Sequence, residues 1–142
     1  MLDIKIKYFD DIIPIEQIAI GDWIDLRSAE TVYLKKFDYK LISLGVCMEL
    51  PKGYHAIIAP RSSTFSKWGI IQANSIGIID ESFCGDNDLW GMLVIALRDT
   101  LINKNDRICQ FTIVKKTEPI DFTRVARLGN NDRGGWGSTG RN

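Results

Sequence analysis

The chain has 142 residues, of which 18 are basic and 18 acidic, so its formal net charge is zero. Proteins that bind nucleic acid or anionic membranes without sequence preference carry a basic excess, and this balance argues against both kinds of partner. No apolar stretch of the sequence approaches the roughly 20 residues that span a bilayer. The length suits one domain with its own core. We therefore expect an ordinary globular protein with no direct nucleic-acid or membrane partner.

The cysteines and the histidine narrow the chemistry further. Cys47, Cys84 and Cys109 are an odd set without CxxC spacing, which disfavours a disulfide framework and a zinc cluster and predicts a reducing, cytoplasmic location. His55 is the only histidine, so a Ser-His-Asp triad or a His-ligated zinc site would have to use it. Its apolar neighbours predict a strand histidine instead. Carboxylates and a hard, oxygen-ligated metal are the better candidates for chemistry.

Short apolar segments, divided by Gly, Pro, Asn and Asp, run through the chain and predict β-strands. The predicted strands are residues 4–8, 41–50, 54–59, 69–79, 91–97 and 107–114. The turn Pro51-Lys52-Gly53 predicts a hairpin between the second and third of these. A short helix is predicted at 62–67, with Ser62 or Ser63 as its cap. Many short strands predict an all-β sandwich or barrel, mainly antiparallel.

The segment Pro60-Arg61-Ser62-Ser63 follows one of these apolar runs. A guanidinium matches a phosphate bidentately, and neighbouring hydroxyls or backbone N–H groups add donors for the same anion. Taken alone, a solvated turn would explain the segment equally simply. It is therefore a candidate phosphate site that needs support from elsewhere in the chain.

A carboxylate leaves a second apolar run at Asp80. A side chain delivered by a strand has a fixed position, so Asp80 can orient a water molecule or share in holding a metal ion. The alternative is an aspartate that caps a turn. Phe83, three residues on, offers a flat surface for a sugar or base, or else packs in the core.

Gln110 is an amide among aliphatic residues of the strand at 107–114. A buried amide needs hydrogen-bond partners, so it bonds to backbone or reaches a ligand.

From about residue 129 the sequence turns to Gly, Asn, Asp and Ser, which predicts a mobile tail. The tail combines Arg133 with glycines around Trp136. The glycines would let it close over a ligand and the indole would stack on a base; the alternative is a disordered end without a role. Taken together, these segments point to a nucleoside triphosphate as the ligand.

The chain resembles the homotrimeric deoxyuridine triphosphatases (dUTPases), in particular the short forms of Gram-positive bacteria and their phages. Five short motifs match in order over nearly the whole length. They are Gly21-Asp22-Trp23-Ile24-Asp25-Leu26, Pro60-Arg61-Ser62-Ser63, the run from Asn74 through Asp80 to Gly85, Asp106-Arg107-Ile108-Cys109-Gln110, and the tail Gly137-Ser138-Thr139-Gly140.

The resemblance implies a jelly-roll-like β domain at 1–128, with one short helix, and a flexible arm at 129–142 that closes over an active site. It implies a homotrimer whose active sites are shared between subunits. The implied reaction is Mg²⁺-dependent hydrolysis of dUTP to dUMP and pyrophosphate, which limits uracil incorporation into DNA and supplies dUMP for thymidylate synthesis.

The resemblance also assigns roles to individual residues. Asp80 would orient the attacking water, and Asp25 would anchor the waters around Mg²⁺. The remaining residues would bind substrate: Asn74 with Gly77 and Ile79 at the uracil, Phe83 under the deoxyribose, Arg61, Ser62, Ser63 and Gln110 at the phosphates, and Arg133, Trp136, Gly137 and Ser138 in the closing arm.

Two departures from the family pattern bear on the site. Phe83 lacks the hydroxyl of the usual tyrosine, and Trp136 stands where most members carry phenylalanine, so Trp90 is an alternative aromatic lid. A dCTP deaminase of the same fold is a rival, although Gly77-Ile78-Ile79-Asp80 follows the phosphohydrolases. A nucleotide-dependent regulator with a protein partner, as among phage relatives, is a second alternative.

Overall fold

The computed structural model describes residues 1–16, 21–137 and 140, and in them short strands surround a single core. The strands are β1 (Lys5–Tyr8), β2 (Ile24–Arg27), β3 (Val32–Leu34), β4 (Tyr39–Ser43), β5 (Val46–Glu49), β6 (Tyr54–Pro60), β7 (Ile70–Gln72), β8 (Gly77–Ile79), β9 (Gly91–Ala96), β10 (Thr100–Ile102) and β11 (Arg107–Lys115), and the helix is α1 (Thr64–Trp68). The predicted all-β class is confirmed. The sequence did not predict β2, β3 or β10.

The strands form two larger sheets and two strand pairs, in which every pairing is antiparallel. The larger sheets have the orders β2-β11-β6-β8 and β4-β9-β7, and the pairs are β1-β5 and β10-β3. Both larger sheets contribute fully buried side chains to one cluster, among them Ile58 and Met92. The arrangement is a jelly-roll-like sandwich, in which each sheet buries one face against the other.

Strand β9 shows how the sequence pattern produces this packing. Met92, Val94 and Ala96 are completely buried and alternate with less buried residues, because successive side chains of a strand point to opposite faces. Trp90, directly before the strand, is only 1% exposed. Its ring meets Phe111 edge to face, with 5.3 Å between the centroids. Trp90 is therefore a core residue, and its assignment as the alternative aromatic lid is wrong.

The predicted hairpin across Pro51-Lys52-Gly53 is also wrong. The turn itself is present, since the backbone N–H of Tyr54 donates to the carbonyl of Pro51 at 3.2 Å. However, β5 pairs with β1, whereas β6 lies between β11 and β8. The apolar run at 41–50 is broken at Gly45, whose φ of 66° takes the chain out of β4 before β5 begins. A turn reverses the chain direction but does not decide which ladder each flank joins.

Helix α1 begins two residues later than the prediction of 62–67, and its start is held by an unexpected side chain. Ser63 occupies the cap position without forming a side-chain cap bond. Instead, the hydroxyl of Thr64 accepts a hydrogen bond from the N–H of Arg61 at 2.8 Å and donates to the carbonyl of Ile108 at 2.9 Å. The completely buried Thr64 therefore fixes the segment that carries Arg61 against β11.

After β11, every described residue is exposed and none lies in a strand or helix. This part of the chain includes the large apolar side chains of Phe122, Leu128 and Trp136. Nowhere in the described ranges is there a helix with the length and apolar character needed to cross a membrane.

The end of α1 supplies a stability prediction. Gly69 caps the helix with φ 63°, and an added Cβ would lie 2.5 Å from Nε and 2.6 Å from Cγ of Arg98. Arg98 would then give up its bonds to the carbonyls of Ser66 and Lys67. We expect Gly69→Ala to lower the free energy of unfolding by about 2–3 kcal/mol, as measured by urea denaturation.

Gly53→Ala is the matched control. Gly53 also has positive φ, 84°, but has no atom within 4 Å of the added Cβ. It should lose only about 1 kcal/mol, the conformational contribution. Equal losses in the two variants would show that the Arg98 contacts add nothing.

Candidate active site

Three neighbouring strands bring the first group of predicted site residues together. In the register of the larger sheet, Gln110 of β11 lies opposite Asp25 of β2 on one side and Ala59 of β6 on the other. Directly opposed residues of an antiparallel pair project from the same face. Asp25 and Gln110 therefore share a face, and Arg61 follows directly after the end of β6.

Arg61 and Asp25 form the central ion pair of this group. Arg61 Nε lies 2.9 Å from Asp25 Oδ1, and the two side chains are only 22% and 19% exposed. Arg61 Nη1 also donates to the carbonyl of Arg107 at 3.0 Å, and Arg107 Nη1 lies 3.3 Å from Asp25 Oδ2. A guanidinium has five N–H donors, so most of those of Arg61 remain for an anion.

Gln110 has the backbone partner that was one of its two predicted alternatives. Its Nε2 donates to the carbonyl of Pro60 at 3.1 Å, and the residue is half-buried. This bond ties the middle of β11 to the residue before Arg61. Of the two neighbouring serines, Ser62 is exposed and Ser63 is half-buried. Both serines directly follow in sequence the arginine that was predicted to bind phosphate.

Asp80 occupies a different part of the molecule, just after β8. Its Oδ1 accepts a hydrogen bond from the N–H of Ser82 at 2.9 Å, and its carbonyl accepts one from Phe83 at 3.0 Å. One carboxylate oxygen therefore does cap a turn, although the side chain stays exposed. The hydrogen bond from the Ser82 N–H is the main reason that the pKa of Asp80 lies below its ordinary value. Asp80 is accordingly an ionised, oriented carboxylate at neutral pH.

The loop before β8 carries the predicted uracil residues. Asn74 is exposed, and the left-handed residue Ser75 turns the chain after it. Gly77 is buried, and an added Cβ would lie 3.2 Å from Cβ of Ile58, so the close approach of β8 to β6 favours glycine. Ile79 then pairs with Ala56 at the end of the ladder.

The aromatic and tail residues lie at the surface. Phe83 is exposed, which excludes its alternative role as a core residue. Arg133 and Trp136 are exposed and Gly137 has φ 84°. Ser138 lies outside the described residues.

Within one chain, the structure does not bring Asp80 together with Arg61. Ile79 pairs with Ala56 of β6 and Cys109 pairs with Pro60, so Asp80 lies near the start of β6 and Arg61 beyond its end. From position 55 to position 61 the strand advances about 20 Å, at about 3.3 Å per residue. That distance exceeds the hydrogen-bond reach within which groups act on one reacting centre.

Two residues that contact the group around Arg61 or the turn at Asp80 were not predicted from the sequence. Arg107 holds the second oxygen of Asp25, and Glu81 receives a backbone hydrogen bond from Gly53. Arg107 lies inside a motif that the sequence had singled out, so its position was a usable signal. Glu81 also lies inside such a motif, the run from Asn74 to Gly85, but its partner lies 28 positions away and could not be predicted.

Few side chains among the described residues are placed together as metal ligands. In the described part of the chain, no three His, Cys, Asp or Glu side chains are grouped closely enough to form a metal cage. Asp25 is a carboxylate whose two oxygens already contact arginines. Such a carboxylate is compatible with contact to Mg²⁺ through water, because that ion keeps several waters and takes few protein carboxylates.

The family model described as dUTPase matches residues 21–140. The SPbeta prophage-derived deoxyuridine 5'-triphosphate nucleotidohydrolase YosS of Bacillus subtilis is 58% identical over 140 residues, covering 98% of this chain and 99% of that protein. The deoxyuridine 5'-triphosphate nucleotidohydrolase of Clostridioides difficile is 34% identical, covering 99% of each. The predicted resemblance to Gram-positive and phage forms is confirmed.

Solved structures with the same fold include dUTPases of staphylococcal phages. That of bacteriophage 80alpha with dUpNHpp has a TM-score of 0.78 at 20% identity, covering 98% of this chain and 99% of that one. That of phage phi11, described with a structural Mg(II) ion, has a TM-score of 0.73 at 20% identity, covering 89% and 98%. Phage dUTPases are also described as controlling transfer of virulence genes by a G protein-like mechanism. On its sequence, and in agreement with its fold, this chain belongs to the dUTPase family.

Proposed function

We propose that the chain hydrolyses dUTP to dUMP and pyrophosphate, the activity for which its family is named. The observation that carries the proposal is the exposed Asp80 carboxylate, which Ser82 orients and keeps ionised. A positioned carboxylate activates water as a general base. No histidine or cysteine nucleophile is needed, because phosphoryl transfer depends mainly on positioning and charge neutralisation.

Asp80 orients a water molecule towards the α-phosphorus and accepts one of its protons. The new bond joins the water oxygen to this phosphorus, and the bond to the oxygen that bridges the α- and β-phosphates breaks. Pyrophosphate leaves with that oxygen. Because one oxygen of Asp80 is held by Ser82, the second is the one that faces the water.

Arg61, Ser62, Ser63 and Gln110 hold the phosphate chain. The ion pair with Asp25 fixes the guanidinium of Arg61 and leaves its other N–H groups for phosphate oxygens. Gln110 supports the same segment through Pro60. A guanidinium that is already oriented loses little side-chain freedom when the anion binds.

Asn74 and the backbone of Gly77 and Ile79 bind the uracil edge, and Phe83 lies under the deoxyribose. A polar edge matched to uracil disfavours cytosine, because the wrong base leaves buried groups unpaired. The exposed ring of Phe83 supplies an apolar surface next to Asp80. Phenylalanine in place of the usual tyrosine keeps that surface but not the hydroxyl.

Mg²⁺ is the proposed metal, with Asp25 holding it through water. When bound, the ion neutralises charge on the phosphate oxygens. Asp25 suits an indirect role, since both of its oxygens already contact arginine side chains.

The proposed site is complete only in a homotrimer. The separation of about 20 Å between Asp80 and Arg61 along β6 supports a site in which one subunit supplies Asp80 and a second supplies Arg61 and Gln110. The arm at 129–142 then closes over the site, with Arg133 on the terminal phosphate and Trp136, Gly137 and Ser138 near the base. Trp136 and Arg133 are exposed in the single chain, as residues that act on another subunit would be.

A nucleotide-dependent regulatory role with a protein partner is the second candidate. The observation that favours it is the prophage origin of the 58% identical relative. A regulator needs dUTP binding but not turnover. The two roles are compatible, and measured hydrolysis would exclude only a purely regulatory protein.

A nucleotide panel tests the proposed reaction. We expect release of pyrophosphate from dUTP, weak release from dCTP, dTTP and UTP, and loss of activity with a chelator that Mg²⁺ restores. Asp80→Asn should lower kcat by roughly 10²- to 10⁴-fold and leave dUTP binding largely unchanged.

Ammonia from dCTP in that panel would instead indicate the deaminase. Near-normal turnover by Asp80→Asn would remove Asp80 from the mechanism.

The lowered pKa of Asp80 predicts the pH behaviour of the reaction. In the free protein the carboxylate should remain ionised until the pH falls below the ordinary aspartate value of about 3.9, so Asp80 should impose no acidic loss of kcat/KM above it. An NMR titration of the carboxyl carbon, identified by its absence in Asp80→Asn, measures this directly. A pKa above the ordinary value would contradict the orientation by Ser82.

Mixed trimers test the shared site. Asp80→Asn and Arg61→Ala should each be inactive alone. After co-refolding in equal amounts, random assembly should restore about a quarter of the wild-type activity, because a quarter of the sites combine an intact Asp80 with an intact Arg61 from its neighbour. If each site lay within one chain, mixing would restore nothing.

A further inference from the structure

Glu81 follows Asp80 in the turn after β8. In the described chain it makes the only long-range side-chain hydrogen bond and ion pair of residues 80–83. Its Oε2 accepts a hydrogen bond from the N–H of Gly53 at 2.6 Å and lies 3.2 Å from Lys116 Nζ. The backbone N–H of Lys116 in turn donates to the carbonyl of Gly53 at 2.8 Å. Three separate parts of the chain therefore meet at one carboxylate.

The neighbouring Asp80 has no comparable anchor. Among the described residues, its carboxylate is hydrogen-bonded only to Ser82, two positions away. The last ladder pair of β8 is Ile79 with Ala56, so the chain has already left the sheet at Asp80. The local turn orients the Asp80 side chain within the loop, but it does not fix the loop relative to the sheet.

Lys116 connects the same carboxylate to the C-terminal segment. It is the first residue after β11, and the exposed part of the chain begins beside it. The contacts of Glu81 therefore fix two things together: the position of the Asp80 turn and the point at which the C-terminal segment leaves the sheet.

We propose that Glu81 is a positioning residue, whose hydrogen bond from Gly53 holds Asp80 in place for the reaction and whose contact with Lys116 joins it to the origin of the C-terminal segment. The proposal rests on the proposed function of Asp80. The Glu81 and Lys116 side chains are 31% and 39% exposed, and ion pairs this exposed add little to stability. A small displacement of a reacting group, in contrast, lowers the rate strongly.

Two substitutions separate the effect of the length of the Glu81 side chain from the effect of its charge. Glu81→Gln retains an acceptor oxygen at the same distance from Gly53 but loses the charge, whereas Glu81→Asp keeps the charge and is one methylene too short. We expect Glu81→Asp to lower kcat for dUTP about 10-fold or more, with KM and Tm little changed. Glu81→Gln should keep kcat within about 3-fold of wild type.

Glu49 provides the matched control. It is an exposed glutamate paired with Lys5 at 3.1 Å and accepts no backbone hydrogen bond in the described chain. Glu49→Asp and Glu49→Gln should both behave as wild type. If Glu81→Asp retains wild-type kcat, or if Glu81→Gln loses as much as Glu81→Asp, the proposal is overturned.

Amide hydrogen exchange measures the hydrogen bond between Gly53 and Glu81 independently of enzyme activity. Exchange of the Gly53 N–H should be faster in Glu81→Asp than in wild type and unchanged in Glu81→Gln. If wild type itself failed to release pyrophosphate from dUTP, the result would contradict both the proposed function and the positioning role of Glu81. Normal turnover by wild type together with unchanged Gly53 exchange in Glu81→Asp would overturn the Glu81 proposal alone.

Discussion

The pairing of β6 on both of its edges is the constraint on which the proposed site depends. Strand β11 holds one edge over seven residue pairs, and β8 holds the middle of the other from Ala56 to Ile58. Because a paired strand is extended and cannot shorten, its two ends stay about 20 Å apart. Arg61 lies at one end and Asp80 beside the other. This separation is what supports the proposal that a second copy completes a site using both residues.

Hydrogen bonds explain why an ion pair between Arg61 and Asp25 is tolerated in a half-buried position. Opposite charges with several hydrogen bonds offset their loss of hydration, whereas a lone charge there would not. Arg107 adds a second positive charge next to Asp25, so the group has an excess of positive charge and attracts an anion. The bond from Gln110 to Pro60 and the buried Thr64 fix the backbone on both sides of Arg61. The group that we propose to bind phosphate is therefore already organised in the single chain.

Residues close together in the chain were predictable from the sequence, and long-range pairings were not. Asp80 and Phe83 follow one apolar run, so a strand that presents them at its end could be expected. The position of Trp90 in the core and the partner of β5 depend on tertiary packing, which no local pattern encodes. The contact between Glu81 and Gly53 joins residues 28 positions apart. The site residues were thus predicted by motif, whereas their division into two groups required the sheet register.

The turn at Pro51-Lys52-Gly53 has a different role from that of the predicted hairpin turn. As a hairpin turn it would only have joined two paired strands. Since β5 and β6 do not pair, the turn is free to use the N–H and carbonyl of Gly53 for Glu81 and Lys116. One glycine with φ 84° therefore connects the loop after β8 to the residue that follows β11. Lys116 and Glu81 thus meet at a common backbone partner directly beside Asp80, and their own side chains lie 3.2 Å apart.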